Sequence, residues 1–114
     1  MTGVAKWKDR FNHEINQAIL ARDKGNEGMA RVCARRAVGI LIGEYFYRHG
    51  YANQSASAYD QLLRFTSLPE VDEQVKTICN HFLLKVDSDH NLPAGVDLLV
   101  EAQWLAHHYF PDNK

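Results

Sequence analysis

The strongest pattern of apolar and polar positions lies between Gly28 and Gly50, and it predicts a long central helix. Apolar residues recur there at steps of three and four, and no proline interrupts them. That spacing gathers side chains into one stripe along an α-helix. The stripe consists of Ala30, Ala34, Ala37, Val38, Leu41 and Tyr45, and it is widened by Cys33, Ile40 and Phe46. Its width predicts that other helices cover the segment on more than one side.

A second line of residues in the same segment has i, i+4 spacing. Arg31 and Arg35 occupy the first half of this line, and Gly39 and Gly43 occupy the second half. A glycine in a helix interior costs about 1 kcal/mol relative to alanine. Because a closely approaching backbone would offset that cost, we expect Gly39 and Gly43 to pack against a neighbouring helix.

Helical spacing also predicts a first helix over residues 4–24, which ends at the short glycine-rich turn DKGNEG. A turn this short usually joins antiparallel neighbours, so the first two helices should form a hairpin. After Gly50 the chain is polar before it regains an apolar pattern. That pattern predicts a short helix over residues 56–66 with an N-cap at Ser57.

Two further helices complete the predicted fold. The fourth should cover residues 69–86 and begin with a capping box formed by Ser67 and Glu70. The last should carry Pro93 in its first turn and end at Pro111. Its apolar positions are Val96, Leu99, Val100, Leu105 and Tyr109. Since no segment shows the alternation typical of strands, we predict an all-α fold, an up-and-down four-helix bundle with one additional short helix.

Length and charge limit the classes of function. The 114 residues predict one domain over residues 1–114, and the formal net charge is −1. Nucleic-acid-binding domains are usually clearly basic, so this charge does not favour RNA or a nucleotide as ligand. No apolar run approaches the ~20 residues of a membrane span, and the first residues lack the apolar region of a signal peptide. We therefore expect a cytoplasmic protein that does not bind a membrane.

The residues that most often carry chemistry form no recognisable motif. Cys33 and Cys79 both fall in helical apolar context, and we expect buried free thiols. The six histidines form no HExxH motif, and no glutamate has a histidine three residues later; those are patterns of zinc and di-iron sites. Phosphate-binding loops, nucleophile elbows and dinucleotide fingerprints are missing as well. The sequence therefore predicts no metal site and no cofactor.

Arg31, Arg35 and Arg36 form the most specific polar feature of the sequence. One interpretation is a solvated face, whose arginines pair with Glu27 and with acids elsewhere in the fold. The other is a binding site for an anion or an acidic partner. Under both interpretations we expect at least Arg31 and Arg35 to keep accessible guanidinium groups.

The stretch AILARDKGNEGMARVCARRAVGILIGEYFYRHG, within residues 16–50, resembles the start of the HEPN superfamily (higher eukaryotes and prokaryotes nucleotide-binding). Domains of that family open with a helix, a short glycine-containing turn and a helix rich in small residues that ends near a glycine. YDQLLRF resembles their short segment after the second helix, and Ala102, Leu105 and Ala106 suit their last helix. The resemblance implies a helical bundle of a kind that commonly assembles as a homodimer.

Many HEPN proteins are metal-independent ribonucleases, whose motif is an arginine followed by four to six residues and a histidine. No arginine of this sequence has a histidine at that distance, and no arginine follows Arg64. Lys85 and His90 have the spacing, but a lysine lacks the planar fork with which arginine holds a phosphate. The resemblance therefore implies a domain without the ribonuclease motif.

Three functional hypotheses follow from these observations. The preferred one is a non-catalytic HEPN-like domain that acts through protein association as a homodimer, because Trp104, Tyr109 and Phe110 give the end of the chain surplus aromatic surface. The resemblance also permits a nucleotidyltransferase-type protein as partner. The first alternative is an RNA- or nucleotide-processing enzyme that uses Lys85 and His90. The second is a small ligand bound between helices at the two glycines of the central helix.

Overall fold

The chain folds into helices packed around a central one. The computed structural model describes residues 6–51, 57–84 and 92–111, and the regular structure of these ranges is entirely α-helical. The helices in them are α1 (Lys6–Asp23), α2 (Glu27–Arg48), α3 (Ala58–Thr66), α4 (Glu73–Leu83) and α5 (Leu98–Tyr109). α2 packs against α1, α3 and α5, and α4 packs against α3 and α5. The predicted all-α class is confirmed.

α1 and α2 form the predicted antiparallel hairpin around a tight turn. Gly25 lies in that turn with φ of +79°, a left-handed conformation that glycine adopts without strain. Asn26 then caps α2, because its side-chain oxygen accepts a hydrogen bond from the backbone N–H of Met29 at 3.1 Å. The cap satisfies a donor that the first helical turn cannot satisfy itself.

The core gathers around α2, which is buried over most of its circumference. Phe46, Phe65 and Phe82 are fully buried aromatic side chains, and each contributes about 1.5–3 kcal/mol relative to an exposed position. The buried residues of α2 are Ala30, Cys33, Ala34, Ala37, Val38, Leu41, Ile42, Tyr45 and Phe46. The core stripe predicted for this helix is therefore buried, with Ile42 added to it and Ile40 only partly buried.

The predicted start of the fourth helix is wrong. α4 begins at Glu73, four residues after the predicted start, and its N-cap is Asp72, whose side chain accepts the backbone N–H of Val75 at 2.9 Å. The predicted capping residues have other partners. Ser67 donates its hydroxyl to the carbonyl of Arg64 at 2.7 Å, and the Glu70 carboxylate accepts the hydroxyls of two tyrosines. Both residues of the predicted capping box therefore make other contacts, and Asp72 caps the helix instead.

The predicted start of the last helix is wrong for a similar reason. α5 begins at Leu98, and the Asp97 side chain caps it by accepting the backbone N–H of Leu99 at 3.0 Å. Pro93 lies before the helix, in a turn closed by a hydrogen bond from the Val96 N–H to its carbonyl at 3.1 Å. Val100, predicted to face the core, is exposed. The apolar side that α5 buries is therefore displaced from the predicted one, towards Leu98 and Ala102.

α3 crosses α2 at close range beside Gly39. A Cβ atom placed on Gly39 would lie 2.7 Å from the Cβ of Ala58 and 3.0 Å from its Cα. Only glycine permits two backbones to approach so closely. One turn later the space is less tight, since a Cβ on Gly43 would lie 3.4 Å from Nε2 of Gln61. Both glycines therefore face α3.

Alanine at these two glycines should have opposite effects on stability. Gly39→Ala should lower the free energy of unfolding by about 1–3 kcal/mol, because the added methyl group collides with Ala58 and forces α3 away. Gly43→Ala should keep stability or raise it by up to about 1 kcal/mol, since helix propensity improves and the new Cβ meets only the flexible end of Gln61. Urea denaturation of both variants tests this. A Gly39→Ala protein as stable as Gly43→Ala would contradict the close contact.

Candidate functional site

A cleft of about 570 Å³ opens beside the two glycines, between α1, α2 and the start of α3. Its volume falls within the range of roughly 300–1,000 Å³ that is typical of small-molecule sites. Gly39 and Gly43 lie along one wall, and their missing side chains leave the backbone of α2 accessible there. The close contact between α2 and α3 therefore forms one edge of the cleft.

Two helical stripes supply most of the functional side chains. In each stripe the residues recur at steps of three or four, so they project from one face of the helix. The antiparallel hairpin turns these two faces towards the same space. The α1 stripe consists of Trp7, Arg10 and Glu14, and the α2 stripe consists of Arg36, Ile40 and Glu44.

The charges of the cleft are largely compensated. Nε of Arg36 donates to Oε1 of Glu14 at 3.2 Å, which joins α2 to α1. Glu44 accepts a hydrogen bond from Nε of Arg48 at 2.8 Å, one turn further along α2. Arg10 is exposed, and none of the residues in the described ranges forms an ion pair with it. Arg10 is therefore the cation of the cleft that is open to an incoming ligand.

The indole ring of Trp7 and the side-chain amide of Gln61 form the other walls of the cleft. Trp7 is half-buried, with its ring 4.8 Å from the ring of Phe110 and edge-on to Phe11. These contacts hold the indole in place at the cleft. On the opposite side Gln61 is 4 % exposed and brings its amide beside Gly43. The cleft thus offers a fixed aromatic surface and an almost fully buried amide.

The three arginines of the predicted binding cluster have different partners. Arg36 lines the cleft with 53 % of its side chain exposed. Arg35 lies over the ring of Tyr59, with 5.8 Å between its Cζ atom and the ring centre. Arg31 is 17 % exposed, and its Nε lies 3.7 Å from the carboxylate of Glu27. Arg31 is therefore less accessible than its spacing in the sequence led us to expect.

Arg22 ties the hairpin to α5. Its guanidinium donates to both oxygens of Glu27, at 2.7 and 3.0 Å, and to both oxygens of Asp97, at 3.0 and 3.2 Å. These carboxylates raise the pKa of Arg22. Partial burial alone would raise the pKa of Asp97, but hydrogen bonds from Arg22 and from backbone N–H groups lower it. The Asp97 carboxylate therefore both caps α5 and holds it to α1.

Both cysteines are buried free thiols, as predicted. Burial is the main reason that the pKa of Cys33 is raised, and it raises the pKa of Cys79 to about 12. Since the thiolate is the nucleophilic form, neither side chain suits covalent catalysis at neutral pH. Cys33 instead accepts a weak hydrogen bond from Nη2 of Arg36 at 3.7 Å, beneath the cleft.

Other titratable side chains form structural contacts away from the cleft. Nδ1 of His81 lies 2.8 Å from Oε1 of Glu101, which joins α4 to α5. Tyr45 and Tyr51 both donate hydroxyl hydrogen bonds to Glu70, at 3.1 and 2.7 Å. Among the described residues, no group of three or more His, Cys, Asp and Glu side chains is arranged to hold a metal ion. The alternative catalytic pair, Lys85 and His90, lies outside the described residues.

Known proteins give no guide to the function of the cleft. No family model, no curated protein and no solved structure matches the chain. Within the part of the chain that the structure describes, no helix has the length and apolar character required to cross a bilayer.

Sequence reasoning identified the cleft's glycines but missed most of its side chains. The spacing of residues within the first helix did not single out Trp7, Arg10 or Glu14. The predicted hairpin could have indicated which side chains of α1 and α2 meet. Glu14 and Arg36 lie at nearly equal distances from the turn at Gly25, so an antiparallel hairpin places them opposite each other. Opposite charges at such positions predict an ion pair across the hairpin.

Removing the charge of Asp97 should lower the stability of the fold by an amount that depends on pH, because it removes the ion pair between Arg22 and the start of α5. Asp97→Asn keeps an oxygen that can cap α5, but it loses the ionic contact with Arg22. Because the folded protein lowers the pKa of Asp97, its ionised form stabilises the fold above the ordinary value of 3.8, and this contribution disappears as the pH falls through the folded pKa. At pH 7 the variant should be less stable by about 0.5–1 kcal/mol, since the pair is partly exposed.

Urea denaturation at pH 7, 5, 4 and 3 measures this difference. It should shrink at the lowest pH, whereas Asp23→Asn, at the exposed end of α1, should show little difference from the parent at any pH. A deficit in Asp97→Asn that stays constant down to pH 3 would show that capping, and not the ionic contact, is what the substitution damages.

Proposed function

We propose that this chain is a non-catalytic helical domain that binds a small polar molecule in the cleft. The observation that carries the proposal is the cleft of about 570 Å³ between three helices. Its lining combines one aromatic ring, one large aliphatic side chain, four charged groups and an amide. Small-molecule sites are usually lined mainly by apolar side chains, so the more polar lining of this cleft favours a polar ligand. The position at Gly39 and Gly43 is that of the small-ligand hypothesis drawn from the sequence.

The described residues of the cleft favour binding without reaction. No histidine or cysteine is among the cleft residues that the structure describes. The hydroxyl of Ser57 caps α3 by accepting the backbone N–H of Asp60 at 3.3 Å. A binding role therefore requires fewer assumptions about this cleft than an enzymatic one.

Filling the cleft tests the proposal. Gly43→Phe places a ring in the cleft, and Asn16→Phe adds the same ring to an exposed position of α1 outside it. In an NMR screen of small polar fragments, binding fragments should shift the indole signal of Trp7 in the parent and in Asn16→Phe. They should leave it unchanged in Gly43→Phe, because the ring occupies their space. Melting curves show whether each variant is folded.

The result that contradicts the proposal is equally direct. If no fragment in the millimolar range shifts the Trp7 signal of the parent, the cleft does not bind small polar molecules. Equal shifts in folded Gly43→Phe and in the parent would place the binding elsewhere on the protein.

A second candidate is association of the chain as a HEPN-like homodimer. The C-terminal aromatics that motivated it are engaged within the fold: the Tyr109 ring packs edge-on to Tyr45 and Phe65, and Phe110 packs on Trp7. Support for a homodimer comes instead from apolar side chains that are exposed elsewhere on the helices. Those with large exposed surfaces are Ile19, Leu20, Met29, Tyr47, Tyr59, Leu63, Leu84 and Val100.

Sedimentation of the parent and of two matched variants tests association. Leu20 and Met29 flank the hairpin turn, so a dimer formed through this end should dissociate in the double variant Leu20→Gln, Met29→Gln. Leu63→Gln removes one exposed apolar side chain on α3 and should leave the dimer intact. A parent that stays monomeric at ~100 µM would count against a homodimer.

The HEPN hypothesis includes further proposals about fold, location, partner and activity. The order of four longer helices and the short α3 supports an up-and-down four-helix bundle with one additional helix. The two buried free thiols support a cytoplasmic location. A nucleotidyltransferase-type partner rests on the resemblance alone. Activity through Lys85 and His90 stays a prediction, which a ribonuclease assay on His90→Ala tests.

A further inference from the structure

We propose that the ligand of the cleft is a small aromatic carboxylate, a molecule with one negative charge, which Arg10 binds, and a flat ring, which lies between Trp7 and Gly43. This inference rests on the proposed ligand-binding function and names the chemistry of the ligand. Two observations carry it. Arg10 has no ion-pair partner in the described part of the chain, and a gap separates the indole from the glycine that lies at its level.

The register of the hairpin sets where the functional groups lie along the cleft. Nε of Arg36 donates to Glu14 across the two antiparallel helices, so these residues lie at one level. Counting from that level in opposite directions along α1 and α2 places Arg10 level with Ile40. Trp7 lies about one turn further from the ion pair. Arg10 therefore lies in the middle of the cleft, between the ion pair and the indole.

The two glutamates of the cleft already have cationic partners. Glu14 accepts a hydrogen bond from Arg36 at 3.2 Å, and Glu44 accepts one from Arg48 at 2.8 Å. Arg10 is exposed, and no ion pair involving it occurs within residues 6–51, 57–84 and 92–111. Each of the two pairs is close to neutral, so the described charges leave that of Arg10 uncompensated. The cleft therefore favours a ligand with a single negative charge.

A carboxylate is the anion that suits this position. A guanidinium presents five N–H donors in a planar fork, which binds the two oxygens of a carboxylate side by side. A phosphate monoester carries a charge of about −2 at neutral pH. It would meet only one unpaired cation, because Arg36, the other arginine of the described lining, is paired with Glu14. A carboxylate matches the single charge of Arg10.

The space for the ring lies one turn from Arg10, where α2 has no side chain. Trp7 lines the cleft there at the level of Gly43. A Cβ atom placed on Gly43 would have only Nε2 of Gln61 within 4 Å among the described residues. The indole is therefore further away, and its contact with Phe110, at 4.8 Å between ring centres, holds it in place. A flat ring in this gap gains the stacking energy of an aromatic pair.

The two binding groups are close enough for one small molecule to reach both. Trp7 and Arg10 have i, i+3 spacing on α1, so they project from one face and lie about 4.5 Å apart along the helix axis. In an arylacetic acid one methylene group separates the ring from the carboxylate. A ring beside the indole thus brings its carboxylate to the guanidinium without a long linker, and Ile40 provides apolar surface beside that methylene group.

NMR titration with four probes of similar size tests the inference. Phenylacetate has the ring and the negative charge, 2-phenylacetamide has the ring without a charge, 2-phenylethylamine has the ring with a positive charge, and cyclohexylacetate has the negative charge without an aromatic ring. At the indole signal of Trp7, phenylacetate should bind about fivefold more tightly than each of the others, a difference of ~1 kcal/mol. Raised salt should weaken the binding of phenylacetate and not that of 2-phenylacetamide, since only a charge near the surface is screened.

Variants of the two binding groups locate the ligand. Arg10→Gln should weaken the binding of phenylacetate about fivefold, or by ~1 kcal/mol, and leave that of 2-phenylacetamide unchanged, because only the charged contact is lost. The matched control Lys24→Gln removes an exposed cation in the hairpin turn, outside the described lining, and should bind like the parent. Gly43→Phe should abolish the binding of both probes, because its ring fills the gap. Melting curves show whether each variant is folded.

The inference and the proposed function can fail separately. The aromatic carboxylate is wrong, and the cleft is still a binding site, if any of the other three probes binds at Trp7 as tightly as phenylacetate. The same conclusion follows if folded Arg10→Gln binds phenylacetate like the parent, or loses phenylacetate and 2-phenylacetamide equally. Phenylacetate that still binds to folded Gly43→Phe occupies another site, which also overturns the inference. The absence of any shift at Trp7, with these probes and with the polar fragments, would overturn both.

Discussion

The contact on which the rest of the structure depends is the close approach of α3 to α2 at Gly39. Ala58 stands so near this glycine that no other residue type fits there without moving a backbone. The contact fixes the start of α3, whose cap at Ser57 and whose amide at Gln61 then lie at the edge of the cleft. A glycine that weakens α2 as an isolated helix is therefore what brings the third wall into position.

The hairpin supplies the other two walls, and ion pairs near its turn and in the middle of its helices hold its register. Arg22 binds Glu27 and Asp97 near the turn, and Arg36 binds Glu14 in the middle of the helices. Sliding α1 along α2 by one turn would separate both sets of partners. Each exposed pair contributes little alone, but together with the buried stripe of α2 they favour one register over its neighbours.

Periodicity predicted the helices well, because the side chains that α1 and α2 bury repeat at helical spacing. It failed at boundaries, where the choice among several capping residues depends on tertiary contacts. Glu70 illustrates this, since its carboxylate binds Tyr45 and Tyr51 and is thus not available to cap α4. Spacing within single helices pointed to the cleft only through its glycines. Its charged side chains come from two helices, and their meeting depends on a register that spacing within one helix cannot show.

The charged groups of the cleft compensate one another without all being held rigidly. The Arg36–Glu14 pair is half-exposed on its arginine side, so its net contribution to folding is about 0–1 kcal/mol. Releasing Arg36 from Glu14 therefore costs little, whereas an unpaired buried arginine would have been expensive to keep. Arg31 shows the contrast: it is mostly buried beside Glu27, where its charge supports the fold and is poorly placed to bind anything else. The difference in burial between these two arginines, five residues apart on one helix, separates an accessible side chain from a structural one.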